Sequence, residues 1–300
     1  MIKYLQTKFK SYPSDFPSER VIFLFASVGN LIDIECSALR PKKIKTVEFY
    51  GAIYLVEDGP WDIVRPSTSN NEILFSFINL IKLEDKPKSI TFEQLMNTIS
   101  LNDAINWIQK NGFPEIGRLY ITDANDELDE ITRALGTYYW LSLGQFRRQA
   151  VTLYLLFHLW QALLYEDEGK IPYYLQPLAA DDVNKLSSKQ QKLTAQVFIS
   201  ELINERLGKI DFRLNMDLSK PRIIFYTPSL FSAAYFQLAC LITLKDKEKV
   251  GKHLKICPQE KGGCGNFFWG HGNSVYCPLC DRRTAYSRRQ KRNKTSQEEQ

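Results

Sequence analysis

A chain of 300 residues is long enough to bury a substantial hydrophobic core, in one large domain or two. Its 44% hydrophobic and 24% charged residues exclude a disordered, collagen-like or wholly membrane-embedded chain. The net charge of +5 is unevenly placed: residues 242–300 carry thirteen Lys or Arg against six Asp or Glu, +7, leaving −2 for residues 1–241. A basic excess at one end predicts a body that carries a basic, anion-seeking tip.

Met1 to Lys10 lacks the charged-then-apolar layout of an export signal. Val21 to Phe25 is apolar but too short to span a bilayer. The longest apolar stretch, Trp140 to Tyr165, is interrupted by Arg147, Arg148 and Gln149. The expectation is a cytoplasmic protein without membrane contact. There, clustered cysteines more often mean metal than disulfide.

Residues 1–80 read as mixed and strand-containing. Val21–Phe25 and Val47–Val56 are rich in β-branched and aromatic residues. Asp58-Gly59-Pro60 and the polar run Arg65 to Asn71 supply turns. Thr91 with Gln94 three residues later fits a capping box, which predicts a helix over Phe92 to Ile99. A second helix runs from about Asn102 to Lys110 and stops at Asn111-Gly112, with Pro114 beyond. The strongest periodicity follows. Leu143, Phe146, Ala150, Leu153, Phe157, Trp160 and Leu164 recur at steps of three and four, a continuous apolar stripe closed by Glu166-Asp167-Glu168-Gly169.

A polar helix spans Ser187 to Leu207, with Leu193, Val197, Leu202 and Leu207 as its apolar positions. Arg222 to Tyr226 reads as extended. A further helix begins near Pro228-Ser229 and buries Phe231, Ala234, Leu238 and Leu241. The hydrophilic run Lys245 to Lys252 is the predicted domain boundary, and Asn293 to Gln300 reads as a polar tail.

Four of the six cysteines fall close together, as Cys257-x6-Cys264-x12-Cys277-x2-Cys280. Two thiolate pairs brought from separate turns supply the tetrahedral shell that Zn(2+) prefers. The tight pair has knuckle spacing, and Gly262-Gly263 relaxes the looser one. His253 or His271 could replace one cysteine. Four thiolates leave no open position for an activated water, so the expected role is structural. Phe267, Phe268 and Trp269 would form a small core beside the metal, or alternatively stack on exposed bases.

Seven basic residues follow Cys280. If helical, Arg282, Tyr286 and Arg289 share one face, while Arg288 and Arg292 share another. Arg282 and Arg283 could hold phosphates or simply offset the −2 charge of a zinc tetrathiolate. For Arg288, Arg289, Lys291 and Arg292, beyond easy reach of the metal, nucleic-acid contact is the favoured expectation.

In this order of features the chain resembles the bacterial ABATE-domain proteins with a C-terminal CGNR zinc finger, regarded as stress-induced transcription regulators. The likeness is clearest from Pro228 to Lys294. There an Ala/Leu-rich helix leads to Cys257, then Cys264-Gly-Asn-Phe-Phe, Tyr276-Cys277 and a basic stretch. Leu101-Asn-Asp-Ala-Ile-Asn-Trp-Ile is similar to the family's helix with a central Trp. The chain departs at its last ligand, where Cys280-Asp-Arg-Arg stands for Cys-Gly-Asn-Arg, and between the pairs, where Trp269-Gly-His-Gly stands for the family's Asp and Ser. The last pair is also one residue tighter.

The expected fold class is α+β: a mainly helical large domain with an N-terminal strand-containing part, plus a small zinc-finger module. The expected division is 1–244 for an ABATE-like, ligand-sensing domain, 250–294 for the finger with its basic helix, and 295–300 for the tail. The resemblance implies double-stranded DNA as partner and a small-molecule effector. The alternative is a module that docks RNA or protein.

Other residues carry less. His158 reads as packed, Glu166 to Glu168 as a solvated helix end, and Cys36 and Cys240 as small core residues. Tyr138-Tyr139-Trp140 reads as aromatic core, or as the wall of an effector pocket. No Gly-rich phosphate loop, nucleophile elbow or His-Glu-x-x-His is present, so an enzyme is not expected.

Overall fold

The computed structural model describes residues 32–36, 38–64, 72–83, 89–115, 140–207, 211–215, 222–227, 229–243, 252–258, 261–264, 267–271, 274–277 and 280. The chain divides into two compact units, Met1–Thr243 and Leu244–Gln300. The architecture is mixed α and β, mostly helical with small sheets. The expected strand Val21–Phe25 and the turn 65–71 lie outside the described residues.

Among the described residues, the first strands of the first unit are β1 (Ile32–Cys36), β2 (Ala38–Pro41), β3 (Ile44–Phe49), β4 (Ala52–Glu57) and β5 (Trp61–Val64). The apolar run Val47–Val56 is thus two strands rather than one. Tyr50 and Gly51 both take positive φ, 48° and 72°, and turn the chain back on itself. That geometry matches the right-handed twist of the flanking strands, and glycine adopts it without strain. β2 pairs with β5 and β3 with β4, both antiparallel. Where the two pairings meet, Lys42 and Lys43 face three residues, Asp58 to Pro60. Hydrogen bonds from Lys42 to Pro60 (3.1 Å) and from Asp58 to Lys43 (3.0 Å) carry the ladder across this bulge. Residues 38–64 therefore form one long, bent hairpin.

Helices follow: α1 (Glu72–Ile78), α2 (Phe92–Thr98) and α3 (Leu101–Asn111). Thr91 and Gln94 form the expected capping box at α2. A second box, Ser100 with Asp103, starts α3, which ends at Gly112 with its N–H donated to Ile108. Strand β6 (Trp140–Ser142) joins β4 on the side opposite β3 and leads directly into α4 (Leu143–Leu164). Trp140 is buried against Val56, with Val47 and Tyr54 beside it. This is the aromatic-core role; Tyr138 and Tyr139 lie outside the described residues.

α4 is the axis of the unit. The predicted stripe is buried from Leu143 to Phe157, while Leu164 emerges at 42% exposure. Burial goes further than the stripe. Val151, Tyr154, Leu155, Leu156 and Leu159 are also buried, because helices pack on several sides of α4 and β4 crosses it. Next come α5 (Lys170–Leu175), a single 3-10 turn (Val183–Lys185) and α6 (Ser188–Leu207). The buried positions of α6 are Ala195, Ile199 and Ile203, and Leu193 is 61% exposed. The core-facing edge of this helix is thus offset from the leucines that mark it in the sequence.

Strands β7 (Asp211–Asn215) and β8 (Arg222–Thr227) complete a three-stranded sheet in the order β1-β8-β7. β1 runs parallel to β8, with Ile32 opposite Ile223, so segments almost two hundred residues apart are stitched together. α7 (Leu230–Thr243) is buried at every position from Leu230 to Leu238, beyond the expected edge. Its Gln237 accepts from the backbone N–H of Leu74 at 2.8 Å, satisfying an orphan donor in the first turn of α1. Cys240, on the same helix, is half-buried.

The core is aromatic at its centre. The Phe77 ring stacks on Trp107 at 4.2 Å and on Phe231 at 5.0 Å, with Phe146 at 6.0 Å. The indole N–H of Trp107 donates to Ser76 Oγ at 3.1 Å. Four helices, α1, α3, α4 and α7, meet at these rings.

His158 is packed, as its position beside the stripe suggests. It stacks on Tyr174 of α5 at 5.0 Å and 15°, and lies 4.4 Å from Tyr154. Burial pushes its imidazole down from 6.5 to about 4; a hydrogen bond with Gln161 opposes this and Lys170 adds to it. The folded state thus prefers neutral His158, whereas the unfolded chain binds its proton near pH 6.5. Stability is unaffected above that value and is lost as pH falls from 6.5 towards 4, by up to about 3 kcal/mol. Thermal unfolding across this range is expected to be less acid-sensitive in His158→Phe; parallel curves would exclude the residue as the cause.

The acidic run after α4 is a charged helix end. Glu166 takes φ 52°, Asp167 pairs with Lys170, and Glu168 pairs with Lys192 of α6 at 2.7 Å.

Candidate metal centre

The second unit is built on a two-stranded antiparallel hairpin, β9 (Lys252–Ile256) and β10 (Phe267–His271), with Ile256 opposite Phe267. The loop between them begins with Cys257 and contains Cys264. It folds back tightly on Pro258, whose carbonyl accepts from Lys261 N at 3.2 Å and Gly263 N at 2.8 Å. The N–H of Cys264 then points at the Cys257 sulfur, 3.4 Å away. Gly263 is required by this close approach: a Cβ there would stand 2.6 Å from Cys257 Sγ and 2.7 Å from the Pro258 carbonyl. The looser cysteine pair therefore closes because of a particular glycine.

The other pair comes from the chain after β10. Lys255 Nζ donates to the Ser274 carbonyl at 2.9 Å, and the Tyr276 hydroxyl donates to the Lys261 carbonyl at 3.2 Å. These two bonds clasp the second segment to the hairpin loop. Cys280 N donates to Cys277 O at 2.9 Å, the turn expected of two-residue spacing.

The four sulfurs converge. All four Sγ atoms lie within 4.8 Å of one another, and Cys264 Sγ is 3.6 Å from Cys277 Sγ. A metal–sulfur bond of about 2.3 Å in a tetrahedron puts its sulfurs roughly 3.8 Å apart. A disulfide needs about 2.05 Å. The spacing fits four ligands around one ion, and the four cysteines could coordinate a metal.

Burial is graded across the site. Cys257, Cys277 and Cys280 are 0%, 6% and 1% exposed, whereas Cys264 is half-buried. Burial works against ionising the Cys257 thiol, but hydrogen bonds to its sulfur from Cys277 and Cys264 prevail and lower its pKa. A sulfur that receives donors in this way is prepared to serve as a thiolate ligand.

Phe268 is buried against the cysteines, with Tyr276 packed beside it. Phe268 thus takes the core role expected of the aromatic triplet; Phe267 is half-buried, and the Trp269 side chain lies outside the described residues. His253 and His271 sit on β9 and β10, and their side chains too lie outside. So do Arg282, Arg283, Arg288, Arg289, Lys291 and Arg292, and with them the predicted basic helix. Sequence reasoning missed the two clasps. Tyr276 adjoins a ligand, but neither it nor Lys255 has a spacing that announces its partner.

No protein-family model, curated protein or solved structure matches this chain. Among the described residues no helix is long and apolar enough to cross a membrane.

Proposed function

We propose that this chain is a zinc-stabilised, DNA-binding transcription regulator, in which a cytoplasmic, ligand-sensing body carries a metal-organised contact module. The observation that carries the reading is the convergence of the Cys257, Cys264, Cys277 and Cys280 sulfurs. An all-thiolate, mostly buried donor set is soft and closed, which favours Zn(2+) in a structural role over a catalytic one. The sequence of the body carries no catalytic motif, so the chain is read as a non-enzyme.

The partner is inferred from charge. Seven basic residues follow the last ligand, among them Arg282, Arg283, Arg288, Arg289, Lys291 and Arg292. Such a run beside a metal-fixed turn is suited to phosphates and guanine edges. The resemblance to ABATE-domain proteins with a CGNR finger supports the same assignment, and a small-molecule effector would bind the body.

Binding to duplex DNA at increasing salt tests this. Arg288→Ala with Arg292→Ala is expected to weaken binding and to flatten the log–log salt dependence by about 0.9 for each phosphate that the variant no longer neutralises. Metal content should stay unchanged. A double variant that binds DNA like the parent would exclude this segment as the DNA-binding surface. Binding to RNA or protein alone, with no duplex affinity, would favour a docking module.

A further inference from the structure

We propose that the four-cysteine centre is also an oxidation switch, opened at Cys264 and closed as a Cys264–Cys277 disulfide. This rests on the metal reading above.

The geometry distinguishes the four sulfurs. Cys257 and Cys280 are 0% and 1% exposed, and Cys277 is 6% exposed, whereas Cys264 is half-buried. Cys264 is therefore the ligand that a small solute in water reaches first. A thiolate ligand remains a nucleophile, and access decides which one reacts. Its partner is already in place: Cys277 Sγ stands 3.6 Å away. Closing to the ~2.05 Å of a disulfide requires a shift of roughly 1.5 Å. The Cys257 sulfur, at 0% exposure, accepts instead from the Cys264 backbone N–H at 3.4 Å.

The oxidant is a hydroperoxide, and the step balances. The Cys264 thiolate attacks the terminal peroxide oxygen and the O–O bond breaks. This leaves a sulfenic acid and an alkoxide or hydroxide, which takes a proton from solvent. The Cys277 thiolate then attacks the sulfenic sulfur. The S–S bond forms, the S–O bond breaks, and hydroxide leaves and is protonated to water. The two thiolates have together lost two electrons, and the peroxide has become an alcohol, or water, plus water.

The consequence follows from the module's construction. The disulfide withdraws two of four ligands, leaving Cys257 and Cys280. Among the described residues the apolar packing around the centre is Phe268, with Tyr276 partly buried beside it, so the ligand shell and not a core holds this end in shape. Oxidation thus uncouples the contact module from its fold, and the body keeps its own core.

The test uses the full chain, purified reduced, assayed for zinc and then given limiting hydrogen peroxide without oxygen. Released zinc is followed with a colorimetric chelator. Cross-links are mapped by fragment sequencing of peptides cut with trypsin and chymotrypsin together, since cleavage at Lys261, Phe268 and Tyr276 places Cys257, Cys264 and Cys277 on three different peptides. The expected result is one zinc ion released per Cys264–Cys277 cross-link, reversed by dithiothreitol with added zinc. Starting protein that holds no metal sinks the metal reading, and the switch with it. Zinc-loaded protein that resists peroxide, or that cross-links Cys277 to Cys280 instead, sinks the switch alone.

Discussion

Cys277→Ser is expected to strip the metal from the C-terminal unit and unfold it, while the body, residues 1–243, keeps its thermal transition. The size of the effect follows from what the unit lacks. Its buried cluster is Cys257, Phe268, Cys277 and Cys280, with Cys264 and Tyr276 partly buried against it. Among the described residues, one ring is thus the only buried apolar side chain outside the ligands. With one buried ring among the described residues, apolar burial contributes little against the conformational entropy of ordering such a segment. A structural zinc contributes on the order of 10–16 kcal/mol to folding such modules, and losing one of four thiolates forfeits much of it. Elemental analysis should show metal falling from about one ion per chain to near none, and a strong chelator should reproduce this in the parent. Calorimetry reports the rest. If the body's transition vanishes together with the metal, the two units unfold as one, and the division at residue 243 has no energetic meaning.

Phe77→Ala is expected to destabilise the body by about 3–5 kcal/mol, the second-largest effect. Phe77 is fully buried and touches three aromatic rings, from α3, α4 and α7. Removing it leaves a void between four helices fixed by other contacts, which cannot all move in to fill it. For a unit of this size the midpoint should fall by about 6–10 °C. Leu193→Ala on α6 provides the contrast. That leucine is 61% exposed, and its loss should shift stability by less than about 0.5 kcal/mol. Similar losses at the two positions would mean that the ring cluster is not the centre of the core.

Local signals in the sequence located most helices of the body. Thr91 and Gln94 satisfy each other's backbone groups within one turn, so the start of α2 is visible without tertiary context. The same chemistry starts α3 at Ser100, where Asp103 takes the Gln or Glu position of the box and so escapes the usual pattern. The bounds of α4 follow from its periodicity and from the acidic stop, since both act over a few residues. Its depth does not. Whether Leu155 and Leu159 face solvent or core depends on which elements pack there, and no spacing along α4 encodes that. The offset edge of α6 has the same cause: Leu193 is apolar, but the packing of the body leaves it in water.

The hairpin at residues 38–64 shows the limit for strands. A run such as Val47–Val56 is strand-like throughout, and only the backbone angles at Tyr50 and Gly51 make it a turn between two strands. Parallel pairing of β1 with β8 joins positions 32 and 223, a separation over which pattern carries no signal.

At the candidate metal centre, the identity and spacing of Cys257, Cys264, Cys277 and Cys280 were determined by the sequence alone, because coordination chemistry depends on residue type and on the loop lengths that let four sulfurs meet. Only the tertiary structure decided how they meet: the close pass of Gly263 over the Cys257 sulfur, the clasps from Lys255 and Tyr276, and the partial exposure of Cys264. These are relations between segments brought together in space, set by backbone path and packing. They distinguish one sulfur from another within each pair, where the sequence shows only a looser pair and a tight one.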